Sequence, residues 1–255
     1  MPVAADIYYH YFEGSTEGAK PPVVLIHGAG GDHLHWHPNI RRLPDYRVFA
    51  LDLPGHGKSG GRGQQSISAY AASILDWMEA MGLHSAVIVG HSMGSAVALK
   101  LVLDHPQHVL GLGLVGGGAR LPVNPKFIEA ASSPTTYHQA IDSIVSLSFS
   151  PNTSPQLTLL AAERMAEVRP SVLHGDFLAC DAFDESASLN RIYKPAIVLC
   201  GAQDKMTPPR FSQYLADNIP NAELEIIPEA GHMVTLEQPR AVSDALLAFL
   251  PSIRY

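Results

Sequence analysis

Short, continuous apolar runs recur along this chain, and most end in a loop rich in glycine or proline. Val23-Val24-Leu25-Ile26, Arg47-Val48-Phe49-Ala50-Leu51, Ala86-Val87-Ile88-Val89, Val109 to Val115 and Ala196-Ile197-Val198-Leu199-Cys200 have the pattern of strands buried on both faces. Leu224-Glu225-Ile226-Ile227 reads as a further strand. Between these runs the period changes. Ile67, Tyr70, Ala71, Ile74, Leu75, Met78 and Met81 recur at helical spacing, and Gly82 stops that helix. Ser95 to Leu103 reads as a helix that His105-Pro106 terminates. Pro208 and Pro209 open another, running to about Asn218, and Arg240 to Leu250 forms the last. Ile7-Tyr8-Tyr9-His10-Tyr11-Phe12 is a strand of aromatic β-formers, with room before it for no second strand. It ends in the turn cluster Glu13 to Gly18. The alternation predicts an α/β fold: a mostly parallel sheet of seven or eight strands flanked by helices.

The rhythm stops between Ala119 and Asn190. Prolines 122, 125, 134, 151, 155 and 170 punctuate this stretch, and Tyr137 to Leu147 and Gln156 to Val168 are helix-like. A helical cap, inserted before the last two strands, is the expected form. The expected domains are a core of residues 1–118 and 191–255 and a cap of residues 119–190. Phe127, Tyr137, Ile144, Leu147, Phe149, Leu159, Leu160, Phe177 and Phe183 are the cap residues expected to face a pocket.

Composition narrows the class. Apolar residues make up 46% and charged residues 16% of 255, enough to bury a sizeable core and too apolar for a disordered chain. The net charge of −7 and the lack of a Lys/Arg run exclude nucleic acid as an expected partner. No apolar stretch is long enough to span a bilayer, and the first residues show neither a basic n-region nor an apolar h-region. A cytoplasmic monomer or homodimer without membrane contact is expected. Cys180 and Cys200 fit no metal or redox spacing and are expected as free thiols.

The chemistry concentrates at loops that follow strands. Gly90-His91-Ser92-Met93-Gly94 lies between a strand and a helix, the context of a nucleophile elbow, with Ser92 exposed on a strained corner. His27-Gly28-Ala29-Gly30-Gly31 follows an earlier strand, and its small residues let backbone N–H groups approach a ligand. A serine hydroxyl needs a base at neutral pH, and imidazole can take and return the proton. His232, after the last strand, is the candidate base. Asp204, after the preceding strand, is the carboxylate that would fix its tautomer. Asp176, Asp181, Asp184 and Glu185 are rival acids within the insertion. His91 and His56 are rival bases, with His56 read as structural. Glu237, near the start of the last helix, has no assigned catalytic role. His33, His35 and His37 lack an acidic or cysteine partner for a metal site and are read as surface or pocket-edge residues. Gly57-Lys58-Ser59 lacks the earlier glycine and the helix of a phosphate loop. The G-x-G-x-x-G pattern at Gly111 to Gly116 lies inside a late strand, so it is read as close packing. No cofactor and no metal are expected.

These motifs resemble the α/β-hydrolase family, in particular its serine esterase and lactonase-like members with a helical cap. The resemblance rests on His27-Gly28, Asp52-x-Pro54-Gly55-His56-Gly57-x-Ser59, the Ser92 turn, Gly201-x-x-Asp204 and Gly231-His232, and spans segments 23–118 and 196–250. It implies a Ser92–His232–Asp204 triad acting on a small ester or lactone through an acyl-enzyme. It also implies an oxyanion hole of backbone N–H groups from Met93 and from the His27 loop, at Ala29 or Gly30. Relatives that cleave C–C bonds of diketones, or act as lyases that eliminate pyruvate, use the same triad on anionic substrates. Arg164, Arg169 and Arg191 would be their candidate anion-binding residues. A non-catalytic ligand-binding receptor on the same fold is a third reading, though it would not require all three triad positions to be filled.

Overall fold

The computed structural model describes residues 2–14 and 20–255. Among the described residues, eight strands form one sheet: β1 (Val3–Ala4), β2 (Ile7–Phe12), β3 (Val23–Ile26), β4 (Val48–Leu51), β5 (Ala86–His91), β6 (Val109–Val115), β7 (Ala196–Gly201) and β8 (Ala222–Ile227). Their order in space is β1-β2-β4-β3-β5-β6-β7-β8. β1 and β2 pair antiparallel, as do β2 and β4; every later pair is parallel. The parallel strands therefore bring their carboxyl ends to one edge, where α/β sheets carry their sites.

The N-terminus corrects one expectation: a second strand does precede Ile7. β1 and β2 form a hairpin in which Val3 faces Tyr8 and Ala4 faces Ile7. Ala5 and Asp6 make the two-residue turn at φ 45° and 61°, the positive-φ pair of a primed hairpin turn. Such turns usually carry glycine or asparagine, and this one has neither at its first position.

Helices cover both faces of the sheet. Among the described residues these are α1 (Pro38–Arg41), α2 (Ile67–Ala80), α3 (Met93–Asp104), α4 (Pro125–Ser132), α5 (Tyr137–Ser148), α6 (Pro155–Ala166), α7 (Pro170–Asp181), α8 (Pro209–Asn218), α9 (Val234–Glu237) and α10 (Pro239–Phe249). Ile74, Trp77, Val97 and Leu215 of α2, α3 and α8 pack with Val24, Ile88 and Val198 on one face. Ile40, Leu246 and Phe249 of α1 and α10 pack with Leu25, Val87 and Leu199 on the other. Opposite residues of the same strands thus feed two cores, which is why these strands read as unbroken apolar runs. Gly111 and Gly113 lie within β6. A Cβ at Gly113 would press into Val89 of the next strand, so this glycine pattern serves close packing.

Helices α4–α7 all fall between β6 and β7. Their apolar faces form a third cluster, built on Tyr137, Ile141, Ile144, Met165, Leu173 and Phe177, which also takes in Met233 from the loop after β8. The insertion is thereby seated over the carboxyl edge of the sheet. No helix among the described residues is long and apolar enough to cross a membrane.

Candidate active site

The corner between β5 and α3 is tight because two glycines permit it. A Cβ at Gly90 would collide with the Gly94 carbonyl, and one at Gly94 with the carbonyls of Ile26 and His27. Ser92 between them sits at φ 54°, ψ −117°. Its N–H donates to the Val115 carbonyl (2.8 Å), and its own carbonyl accepts from Ser95 N–H (2.9 Å) and Ser95 Oγ (2.7 Å). With both ends of the peptide held, the strained conformation persists. The hydroxyl makes no capping bond to α3, and the side chain is half-buried at the floor of a cavity.

His232 and Asp204 reach the same edge from the loops after β8 and β7. His232 Nδ1 lies 2.9 Å from Asp204 Oδ2. An ionised carboxylate only accepts, so Nδ1 carries the proton and Nε2 is left as the acceptor. Asp204 is itself fixed: its Oδ1 accepts from the N–H groups of Met206 (2.9 Å) and Thr207 (2.8 Å). Burial pushes the Asp204 pKa up, but His232 and the hydrogen bonds from His232 and Thr207 outweigh it, so the group lies below the usual carboxylate value. Thr207 Oγ1 stands 2.8 Å from the Gly116 carbonyl, 2.9 Å from Asp204 Oδ2 and 3.1 Å from His232 Nδ1, bracing the pair from below. Sequence reasoning passed over Thr207. Its only signal is its position three residues after the aspartate, in the turn that leads into α8.

His91 is not placed as a base. Its Nε2–H donates to the His232 carbonyl (2.8 Å), and the two rings lie 4.8 Å apart. Burial, followed by the neighbouring His232, pushes its pKa down to about 3, so it is neutral and holds the His232 loop. Glu237 holds the same loop from the other side. It accepts from Gly231 N–H (2.9 Å) and, across the insertion, from Ser150 N–H (2.8 Å) and Thr153 Oγ1 (2.6 Å).

The His27 loop abuts the serine: a Cβ on Gly28 would come within 3.0 Å of Ser92 Cβ. His27 Nδ1–H donates to the Gly28 carbonyl (2.7 Å), and Nε2 accepts from Leu53 N–H (3.0 Å). Gly30 N–H is already engaged with Asp176 Oδ2 (2.8 Å). The N–H groups of Ala29 and Met93 take no acceptor among the described residues, so Ala29 rather than Gly30 has the free donor.

The rival acids lie elsewhere. Asp181 accepts from Val123 N–H, Asp184 from Ser186 N–H, and Glu185 pairs with Lys100. Asp176 accepts from His56 Nε2–H (2.8 Å) and Tyr70 OH (2.5 Å) besides Gly30. Burial lowers the His56 pKa, but the Asp176 charge and bond outweigh it and leave it raised.

The histidine trio divides. His33 is buried, and its Nδ1–H donates to Asp52 Oδ1 (2.7 Å), so the surface reading fails there. His35 is buried and lines the cavity. His37 caps α1, its Nδ1 accepting from Asn39 N–H (3.2 Å).

The cavity above Ser92 and His232 measures about 290 Å³. Of the nine expected pocket residues, Phe127, Ile144, Leu147 and Phe177 line it. Tyr137 and Phe149 pack inside the insertion, Tyr137 donating to the Val168 carbonyl (2.6 Å). Phe183 joins the core on the sheet. Leu159 and Leu160 point to solvent, 63% and 46% exposed, because α6 turns Leu157, Ala161 and Met165 inward at i, i+4 spacing. Among the described residues, Lys205 is the only formally charged side chain in the lining. Arg164 and Arg169 border a different cavity, and Arg191 is exposed.

A family model described as the alpha/beta hydrolase fold matches residues 21–239. The chain belongs to the α/β-hydrolase family. A family relative, the putative carbamate hydrolase RutD of Caulobacter sp. (strain K31), is 30% identical over 257 residues, covering 96% of each chain. The dihydrolipoyllysine-residue acetyltransferase component of the acetoin cleaving system of Pseudomonas putida is 30% identical over 250 residues. That match takes in 94% of this chain and 66% of the relative, so the chain spans just under two thirds of that protein. Among solved structures, the enol-lactonase from Burkholderia xenovorans LB400 aligns over 96% of both chains with a TM-score of 0.89 at 23% identity, a likeness of fold. A thermophilic esterase aligns over 96% of this chain and 98% of its own with a TM-score of 0.81 at 32% identity.

Proposed function

We propose that this α/β-hydrolase cleaves small carboxylic esters or lactones through a Ser92 acyl-enzyme. One observation carries the reading: His232, hydrogen-bonded to Asp204 behind it, and the strained, uncapped Ser92 border one cavity. Ser92 Oγ attacks the carbonyl carbon as its proton passes to His232 Nε2. Asp204 stabilises the imidazolium without taking the proton. The tetrahedral oxyanion accepts from the N–H groups of Ala29 and Met93, the second at the positive end of α3. His232 then gives the proton to the leaving alkoxide. In the second half, water attacks the acyl carbon, His232 takes its proton, and Ser92 leaves with the proton returned.

Helices α4–α7 act as a cap over this site. The walls are mainly apolar, which suits a neutral acyl group, and the single lysine does not match a polyanionic substrate. This favours ester or lactone cleavage over hydrolysis of an anionic diketone. The names of the thermophilic esterase and the carbamate hydrolase support the same class of bond.

A panel of p-nitrophenyl esters, lactones, carbamates and a vinylogous diketone tests the reading on one preparation. The expected result is a peak of kcat/KM at short acyl esters. Each buried methylene should add about 0.8 kcal/mol until the cavity is full. Diketone turnover exceeding ester turnover, or rates that keep rising into long-chain triglycerides, would contradict it.

A further inference from the structure

Asp176 is the least expected charged residue in the fold. It sits on α7, in the insertion, with a fully buried side chain. An ionised carboxylate is tolerated there only if its oxygens are matched by donors. Three segments supply them. Gly30 N–H from the loop after β3 and His56 Nε2–H from the loop after β4 meet Oδ2, and Tyr70 OH from α2 meets Oδ1. None of these groups belongs to the insertion.

The Gly30 bond has a consequence for the neighbouring peptide. Gly30 N–H lies in the Ala29–Gly30 peptide plane, one Cα from the Ala29 N–H. The far side of the loop is already pinned, with the Gly28 carbonyl accepting from His27 Nδ1–H and from Gly31 N–H (3.1 Å). Asp176 supplies the other pin. Gly30 stands at φ 63°, and a Cβ there would press on Leu173, so α7 lies directly on the loop. The same helix presents Leu173 and Phe177 to the cavity.

We propose that Asp176 is a positioning residue: through Gly30 it aims the Ala29 N–H at the reacting oxygen, making the substrate-binding helix α7 part of the oxyanion hole. The proposal rests on the ester-hydrolase reading of Ser92 and Ala29. A merely structural anchor would lower stability and leave turnover by the folded protein alone. A positioning role predicts a loss that appears in the transition state.

The test measures kcat, KM and inhibition by an alkyl trifluoromethyl ketone, whose adduct places an oxyanion in the hole, on wild type, Asp176→Ala, Asp176→Asn and Tyr70→Phe. All are assayed well below their melting temperatures. For Asp176→Ala the expected kcat falls about 10²-fold, the scale of one misdirected oxyanion donor. KM should stay within about threefold, and the ketone Ki should rise in step with the loss of kcat. Asp176→Asn keeps an acceptor for Gly30 N–H, but an uncharged and weaker one, and should retain about a tenth to a half of wild-type kcat. Tyr70→Phe leaves the Gly30 bond intact and should lose less kcat than Asp176→Asn whatever its melting temperature. A kcat and ketone Ki within threefold of wild type in Asp176→Ala would overturn the proposal. If that variant does not fold, Asp176→Asn retaining as much kcat as Tyr70→Phe would overturn it. Ser92→Ala run alongside separates the two failures: if it keeps turning over ester, the underlying reading fails, whatever Asp176 does.

Discussion

Ser92 occupies backbone angles that a non-glycine residue keeps only when its surroundings impose them, at a cost of about 1–3 kcal/mol. The same constraint turns the hydroxyl away from α3 and toward the cavity, so the strain and the chemistry have one origin. Asp204 is the complementary case, a carboxylate whose acceptor sites are nearly all used. Removing its charge while keeping its shape isolates its effect on His232. Asp204→Asn should lower kcat by about 10⁴, because the amide no longer enforces the Nδ1–H tautomer. Asp181→Asn and Asp184→Asn, whose carboxylates bond backbone N–H groups elsewhere, should leave kcat near wild type. Steady-state kinetics of the three variants checks this. A near-normal Asp204→Asn would assign His232 a different orienting partner. The sequence offers Ser92, Asp204 and His232 as candidates because each follows a strand in a turn with its own local signature, and the fold brings His232 to Asp204. Thr207 was not legible, because its contacts with Gly116 and His232 span 91 and 25 residues and leave no local pattern.

At the scale of elements, the loops after β3, β4, β5, β7 and β8 converge because parallel strands share a direction, and the insertion is tied to that edge by two carboxylates, one buried and one half-buried. Asp176 joins α7 to two of the loops, and Glu237 joins the His232 loop to the chain after α5. The His56–Asp176 pair makes the first tie pH-dependent. The His56 pKa is raised in the folded protein, so its stabilising contribution is complete below the unfolded histidine value of about 6.5. It is lost as pH rises through the higher folded value. The melting-temperature gap between wild type and His56→Gln should therefore be larger at pH 6 than at pH 9. A gap that is constant, or that widens with pH, would show that His56 is neutral in the fold. The strands and most helices were readable from period and breakers. The β1–β2 hairpin escaped because Ala5-Asp6 lacks the glycine signal. The pocket residues of the insertion were half readable: apolar content identifies a helix that packs, but only the neighbours decide whether Leu159 or Leu157 turns inward.

For the whole molecule, two cores pack on opposite faces of one sheet, and a third apolar cluster lies over its carboxyl edge. The result is a mainly apolar cavity with one serine on a strained backbone and one oriented imidazole, in a protein of net charge −7. The central claim is that Ser92 is a nucleophile activated by His232. Mass spectrometry after brief exposure to a fluorophosphonate tests it most directly. One phosphonyl group should appear on the peptide containing Ser92. It should be absent from Ser92→Ala and form far more slowly in His232→Ala. Labelling on another residue, or none while ester turnover persists, would contradict the account.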